Sequence, residues 1–320
     1  MKNPWEGIPA PTSNLNVLRV DETCSVDAFW AVGPEGEYLF LVEGLTAEAG
    51  VEMPAFDAIR ITVGADRGGL GKSCLLLRLL VAEEWELFFA LCSDLVRALS
   101  TSGPETGLSA VAARLVQWVA FLRPGRERAL SCEAIRGLFG ELTFLESRLA
   151  PACGWDAAVE GWGGPMGMAQ DFAVGGMAVE TKTKLANARR EVRISSEDQL
   201  VSKAGKLFLH VLTLTVAGEA EEGGLSLAEL VERIRAALAG NQHMVEALEN
   251  RLLAAGYADS SVYERERFLV TEEETYQVAE GFPRIVPEGL PQGVRRVTYG
   301  LDLAACGPFR VTDADWPGKV

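Results

Sequence analysis

The first 82 residues alternate apolar runs with turn-forming segments, a pattern that predicts strands. Four runs form two pairs, each separated by glycine-rich residues: 29–32 with 39–42, and 59–63 with 74–81. Helical spacing of apolar residues then predicts helices over 83–100 and 108–122, separated by Gly103-Pro104. The chain therefore begins with strands and continues with helices.

The middle of the chain predicts helix, three strands, helix and strand. Ser131 is a suitable N-cap for a helix to about Ala150, before Pro151. Glycine-punctuated strands are expected over 155–183, a short helix over 194–206 and a buried strand over 207–216. Two amphipathic helices follow within 225–255, and the remainder predicts strand and loop.

The stretch QDFAVGGMAVETKTK, residues 170–184, predicts a hairpin that turns at Gly175-Gly176. This register places Phe172 opposite Val179 and Asp171 opposite Glu180, so the two carboxylates share one face. Lys182 lies two residues beyond Glu180 and shares that face as well. The apolar side chains of the hairpin then lie on the other face.

Two opposed carboxylates repel each other, which raises the pKa of at least one of them. A divalent cation between them reverses the repulsion, and oxygen ligands suit Mg²⁺ better than zinc. A lysine beside the metal orients a water or offsets charge on a phosphoryl transition state. The triplet therefore indicates a phosphodiesterase site; the alternative is an exposed hairpin face with a cross-strand salt bridge.

The overall charge argues against broad binding to nucleic acids or membranes, because 30 basic and 45 acidic residues give −15. Residues 181–206 nevertheless hold seven basic and three acidic side chains, a local net charge of +4. Phosphate contacts depend on such local basicity. An ordinary solvated face is the alternative interpretation.

The remaining motifs exclude several classes of protein. His210 and His243, the two histidines of the sequence, cannot form an HExxH or three-histidine zinc site. The six cysteines form no CxxC pair, as expected for free thiols in a reducing compartment. No signal peptide or membrane span is evident, so we expect a soluble cytoplasmic protein.

The segment GADRGGLGKSC, residues 64–74, partly matches a phosphate-binding loop. The first glycine of that motif should fall at position 66, where Asp66 stands, and a strand-like run follows Ser73 where a helix should begin. A strand connection over 68–73 is therefore expected, with no helix starting at Lys72. A nucleotide-binding regulator using Gly71–Ser73 is the less favoured alternative.

Several motifs together resemble the PD-(D/E)XK nuclease superfamily, in an uncharacterised bacterial branch often found among phage-defence genes. They are RGLFGELTFLE, GWGGPMGMAQDF, VETKT, ISSEDQL and GFPRI, which lie within residues 128–320; the N-terminal part matches only loosely. Gln170 stands where many members have proline. The resemblance implies a nuclease that cuts DNA with Mg²⁺, for which Mn²⁺ can substitute, in a restriction or phage-defence system.

The resemblance also implies roles for individual residues. Asp171 and Glu180 would bind the metal with the carbonyl of Thr181, and Lys182 would serve the attacking water. Glu141, at the edge of the apolar stripe of its helix, matches a further glutamate ligand, and Glu146 is its rival. The residues expected to contact DNA follow the site: Lys184, Arg189, Arg190, Arg193, Ser196 and Gln199.

The expected architecture is α/β (α+β) with a restriction-endonuclease-like core. A β-rich domain over 1–103 precedes a nuclease-like domain over 104–320, which has its core at about 128–216 and an extension over 217–320. DNA is the expected partner, and a homodimer or partner proteins of a defence system are compatible with it. A binding or scaffold module that kept the fold and lost activity is the main alternative.

Overall fold

The computed structural model describes residues 2–20, 26–46, 48, 50–65, 72–123, 129–201, 205–218, 221 and 223–312. The fold is α+β, and the chain divides into two compact units. The first comprises Met1–Arg128 with Ala258–Ser261, and the second Ala129–Tyr257 with Val262–Val320. No helix in the described part of the chain is long and apolar enough to cross a membrane.

The first unit contains a five-stranded antiparallel sheet and two long helices. Its strands, in the spatial order β1-β2-β3-β5-β4, are β1 Asn16–Arg19, β2 Asp27–Val32, β3 Tyr38–Thr46, β4 Ile59–Ala65 and β5 Lys72–Leu79. A 3-10 turn at Ala82–Glu84 leads into α1 Trp85–Thr101, and α2 is Gly107–Phe121. Both predicted strand pairs and both predicted helices are confirmed.

The glycine-rich segment joins β4 to β5, although residues 66–71 lie outside the described part. Lys72 is the first residue of β5, so no helix begins there, as the sequence predicted. The helix N-terminus that would complete a phosphate-binding loop is therefore not formed at this position.

The second unit is built on a mixed sheet. Its helices are α3 Cys132–Phe144, α4 Ala150–Cys153, α5 Trp155–Gly161, α6 Leu227–Leu238 and α7 Gln242–Ala255. Its strands are β6 Phe172–Val174, β7 Met177–Leu185, β8 Glu191–Ile194, β9 Lys206–Ala217, β10 Leu225–Ser226, β11 Arg267–Gln277, β12 Tyr299–Asp302 and β13 Arg310–Val311. Short 3-10 turns lie at Gly164–Met166, Ser261–Glu264, Pro287–Gly289 and Gly307–Phe309, and a π-helical turn at Leu145–Leu149.

The main sheet has the order β10-β11-β9-β7-β6, with β13 paired to β11. β7 and β9 are parallel, whereas β6 and β7 are antiparallel. Leu138, Phe139 and Leu142 of α3 pack into the same apolar cluster as Val179 of β7. Ala178 belongs to a second cluster on the other face, so Glu180 and Lys182 point away from α3 by strand alternation.

Four details differ from the sequence-based expectation. Two strands, β6 and β7, lie in the range 155–183 where three were expected, and the unpredicted β8 pairs with β12 in a separate two-stranded sheet, so the expected restriction-endonuclease core topology is not confirmed. Residues 155–161, predicted as strand, form α5, which has Gly154 as its N-cap, ends at Gly161 and buries Ala158 and Val159. Helical structure also continues past Pro151 to Cys153, since a proline in the first turn of α4 needs no N–H donor.

The fourth difference concerns the short helix that was expected over residues 194–206. Residues 197–200 form turns, and no helix is present among the described residues of this range. The Ser196 hydroxyl accepts the N–H of Asp198 at 3.1 Å, and the Gln170 amide binds backbone carbonyls of the same segment. Such side-chain hydrogen bonds compete with those of a helix, which explains the difference.

Candidate active site

The predicted hairpin forms with three of its predicted pairs, but the ladder ends at Phe172, so Asp171 is not paired with Glu180 as expected. Gly175 and Gly176 have φ values of 57° and 76°, the left-handed conformation that this turn requires. Phe172 pairs with Val179 and Val174 with Met177. The sequence thus located the turn correctly, because both glycines adopt a conformation that other residues rarely take.

Asp171 immediately precedes β6, at the point where the chain enters the sheet. Its backbone carbonyl accepts hydrogen bonds from the N–H groups of Gly163 and Gly164, at 2.8 and 3.0 Å, which turn the chain away. Its Oδ2 accepts the N–H of Thr181 at 2.7 Å. Asp171 therefore occupies the position beside β7 where a longer β6 would have continued. The Thr181 carbonyl faces the same edge, since the N–H and C=O of one strand residue point the same way.

Glu180 and Lys182 stand together on the face of β7 opposite α3. The Lys182 Nζ atom lies 2.6 Å from Glu180 Oε1 and 3.3 Å from Gln199 Oε1. Gln199 Oε1 also accepts the N–H of Ser195 at 2.8 Å. Glu180 is fully buried; the Lys182 ammonium pairs with its Oε1, whereas its Oε2 has no partner within the described structure. Such a buried, unpartnered acceptor is costly unless a cation or donor satisfies it.

Glu141 approaches the same position from α3. The Trp162 Nε1–H donates to Glu141 Oε2 at 2.7 Å. A Cβ atom on Gly164 would lie 3.0 Å from Asp171 Oδ1 and 3.5 Å from Glu141 Oε2, so both carboxylates flank this glycine. The rival Glu146 instead forms a salt bridge with Arg233 at 3.0 Å. The structure thus brings Glu141, rather than Glu146, to Asp171.

The three carboxyl groups all have raised pKa values, and burial is the first cause for each. Burial and the nearby Asp171 charge raise the pKa of Glu141 to about 8. Burial raises the pKa of Asp171 to about 6, against the opposing effects of Lys182 and the Thr181 N–H. Burial and Asp171 raise the pKa of Glu180 well above its ordinary value. The expected repulsion is therefore present, as the second cause after burial for Glu141 and Glu180.

The residues present fit a hard divalent cation by their chemistry. Three carboxylates and a backbone carbonyl are oxygen donors of the kind that Mg²⁺ prefers, and Oε2 of Glu180 is buried without a partner. Across the described residues, no three His, Cys, Asp or Glu side chains converge closely enough to hold an ion as they stand. Glu180 is paired with the Lys182 ammonium, which supplies a positive charge to the cluster.

The basic residues expected to bind DNA have different surroundings. Arg189 and Arg193 are exposed and Lys184 is half-buried. The Arg190 guanidinium lies 2.5 Å from Glu274, which is buried and also contacts Arg310 at 3.2 Å. Arg190 therefore serves an internal ion pair, whereas Arg189 and Arg193 present their charge to solvent.

Sequence reasoning missed two groups near the site. The Gln170 Nε2 donates to the carbonyls of Asp198 and Val201, both at 2.9 Å, and of Gln199 at 3.2 Å. It thereby fixes the segment that carries Gln199, and its replacement of the usual proline was the available signal. The second group is a turn near residue 296, held by Glu197. Its signal was the adjacent pair Arg295-Arg296 after Gly293.

Comparison with known proteins gives one family. A family model described as "Putative PD-(D/E)XK family member, (DUF4420)" matches residues 1–304. The match includes the first unit, which the sequence motifs resembled only loosely. No curated protein and no solved structure matches the chain.

Proposed function

The chain belongs to this PD-(D/E)XK family, and from that premise we propose that it is a metal-dependent nuclease that hydrolyses phosphodiester bonds in DNA. The observation that supports the proposal is the gathering of Glu141, Asp171, Glu180 and Lys182 at the end of β6. One buried and two half-buried carboxyl groups, all with raised pKa values, and a lysine in contact with one of them are a costly arrangement for structure alone. Such groups cluster at functional sites.

The proposed mechanism assigns each side chain a task. Glu141, Asp171 and Glu180 would hold a divalent ion together with the Thr181 carbonyl. When bound, the ion supplies Lewis-acid stabilisation of the phosphoryl oxygens and a more acidic water. Lys182, directed by Glu180 and Gln199, places a positive charge where the reacting phosphate gains negative charge. Lys184, Arg189 and Arg193 would contact neighbouring phosphates.

The direct test combines a cleavage assay with melting curves. We expect wild type to cut plasmid, linear or single-stranded DNA with Mg²⁺ or Mn²⁺ and not with EDTA. Mg²⁺ should stabilise the folded protein by about 2.7 kcal/mol at a hundred times its Kd. Asp171→Asn should be at least as stable as wild type in EDTA, because repulsion is relieved, and should gain much less from Mg²⁺.

Two further variants sharpen this test. Lys182→Ala should keep most of the stabilisation by Mg²⁺ and lose cleavage, since its ammonium is not an ion ligand. Asp198→Asn removes an exposed aspartate of the same unit and should behave like wild type. If wild type and Asp171→Asn respond identically to Mg²⁺, the carboxylate metal site is wrong. Binding of DNA without cleavage under any metal would favour the scaffold interpretation.

The branch that the sequence motifs resemble is often found among phage-defence genes, and this extends the proposal to a role in restriction. We expect cells that express the wild-type chain, with its neighbouring genes, to form fewer phage plaques than cells with the Asp171→Asn chain. Equal plaque numbers alongside metal-dependent cleavage in vitro would separate the nuclease activity from this role.

A further inference from the structure

The turn over residues 294–298, here named the arginine strap, is held in an unusual backbone conformation. Arg296 has φ of 58°, in the left-handed region that residues other than glycine seldom adopt. Arg295 and Arg296 are both exposed. A conformation of this kind persists only where surrounding contacts impose it, and it is often found at functional segments.

Those contacts come from the segment beside the proposed active site. The buried carboxylate of Glu197 accepts the N–H of Arg296 at 3.0 Å through Oε1 and the N–H of Val297 at 2.7 Å through Oε2. The Thr298 hydroxyl donates to the Ser195 carbonyl at 3.3 Å. Glu197 lies two residues before Gln199, whose side chain contacts Lys182. The strap is therefore fixed next to the residues that direct the catalytic lysine.

The charges of the strap remain directed to solvent. The Glu197 carboxylate accepts hydrogen bonds from two backbone N–H groups and does not pair with a guanidinium of the strap. In the described part of the chain, neither Arg295 nor Arg296 forms a salt bridge, in contrast to Arg190 and its partner Glu274. Arg193, also exposed, pairs with Gly300 just beyond the strap. An exposed basic surface thus continues from β8 to the strap.

We propose that the arginine strap binds the phosphate backbone of DNA beside the cleaved bond. The inference rests on the proposed function, because a strand whose phosphodiester lies at Asp171 and Lys182 carries a further phosphate for about every 3.4 Å along the duplex axis. Guanidinium groups match phosphate oxygens in a two-point fashion, and two of them on one rigid turn fix the register of a strand. Contacts of this type position the substrate and read no sequence.

The experiment measures how strongly binding depends on salt. Wild type and Arg295→Ala/Arg296→Ala are titrated into a fluorescent DNA duplex in EDTA, from about 50 to 200 mM salt. Each phosphate contact contributes about 0.9 to the slope of log K against log salt. We expect the double variant to bind more weakly and its slope to be shallower by about 1.8. Arg136→Ala/Arg265→Ala removes the same charge elsewhere in this unit and should retain the wild-type slope.

A second variant separates geometry from net charge. Glu197→Gln removes a negative charge, so a purely electrostatic surface would bind DNA more tightly. An amide has a single acceptor oxygen and directs an NH₂ group at one of the two N–H donors, so the strap would lose its conformation. We therefore expect Glu197→Gln to bind DNA more weakly, with a melting curve that verifies folding. Should this variant fail to fold, the two arginine variants decide the outcome.

The outcomes distinguish the strap from the proposed function. The proposed role of the strap would be wrong if Arg295→Ala/Arg296→Ala had the wild-type salt slope. If wild type still cleaved DNA with metal, the proposed nuclease function would be unaffected by that result. Tighter binding by a folded Glu197→Gln variant would also overturn the proposed role of the strap. Wild type that neither binds nor cuts DNA would instead overturn the proposed nuclease function.

Discussion

At the residue scale, Glu141, Asp171 and Glu180 are acids whose protonated forms the fold favours. Burial in a low-dielectric environment disfavours the charged form of each, and neighbouring carboxylates add to the effect for Glu141 and Glu180. In the metal-free protein the cluster therefore retains protons at a pH where exposed acids have lost them. Cation binding and proton release are thus linked at this site.

This linkage gives stability a defined pH dependence in EDTA. The pKa of Asp171 rises from 3.8 to about 6, and that of Glu141 from 4.5 to about 8. A raised folded-state pKa contributes stability that is complete below the unfolded-state value and is lost as pH rises through the folded-state value. We expect the melting temperature to fall between about pH 4 and pH 8 for this reason.

Glu141→Gln should flatten this profile and melt above wild type at pH 8, because an amide keeps the acceptor for Trp162 without acquiring charge. The shift should be a few degrees, at about 2–4 °C per kcal/mol for a domain of this size. Glu146→Gln, which alters a glutamate paired with Arg233, is the control. Parallel profiles for wild type and Glu141→Gln would contradict the assignment.

At the element scale, a glycine sets the distance between α3 and β7. A Cβ on Gly140 would lie 2.3 Å from Thr183 Cγ2, closer than packing allows, so the helix and strand approach only because this side chain is absent. Glu141 is the next residue of α3. The position of Glu141 beside Asp171 therefore depends on this close approach.

We expect Gly140→Ala to push α3 from the sheet, destabilise the protein by about 1–3 kcal/mol and reduce cleavage. Gly137 lies one turn earlier on the same helix, and a Cβ there would meet nothing within 4 Å. Gly137→Ala should therefore stabilise by about 0.5–1 kcal/mol and leave cleavage unchanged. Urea denaturation with the cleavage assay measures both effects; equal stabilities would refute the close-packing argument.

The predictable parts of the fold were those decided by neighbouring residues. The Gly175-Gly176 turn and strand parity placed Glu180 and Lys182 on one face of β7, whereas Asp171 lies just outside the ladder, and helical periodicity located α6 and α7. The predictions that were wrong concerned segments whose structure depends on residues far away in the sequence. β8 pairs with β12, more than a hundred residues later, and the turn at 197–200 is held by the Gln170 side chain. No local pattern in the sequence specifies such pairings.

At the scale of the whole molecule, the first unit is not one continuous stretch of chain. Ala258–Ser261 belongs to it, although the flanking residues belong to the second unit. There the Glu86 carboxylate accepts the Ser260 hydroxyl at 2.9 Å and the Ser261 hydroxyl at 2.8 Å. The stability of the first unit thus depends on residues far along the sequence.

A double-mutant cycle in the full chain tests this dependence. We expect Glu86→Ala and Ser260→Ala/Ser261→Ala each to destabilise the protein, with a coupling energy of about 1–2 kcal/mol between them, because one set of hydrogen bonds is lost in either case. Glu83→Ala removes an exposed acid at the start of the same segment and should change stability by less than about 0.5 kcal/mol. Strictly additive effects would show that these hydrogen bonds contribute nothing.

The shortness of β6 has a consequence for solubility. Beyond Val179, β7 has β9 on one side, and no described strand pairs with its other side up to Leu185. An open strand edge is a template for pairing with another chain, and charged side chains along it prevent this. Lys182 and Lys184, with Asp171 against the Thr181 amide, therefore also protect the edge from self-association. Variants that neutralise several of these groups at once should aggregate as well as lose cleavage, so single charge changes are the informative ones.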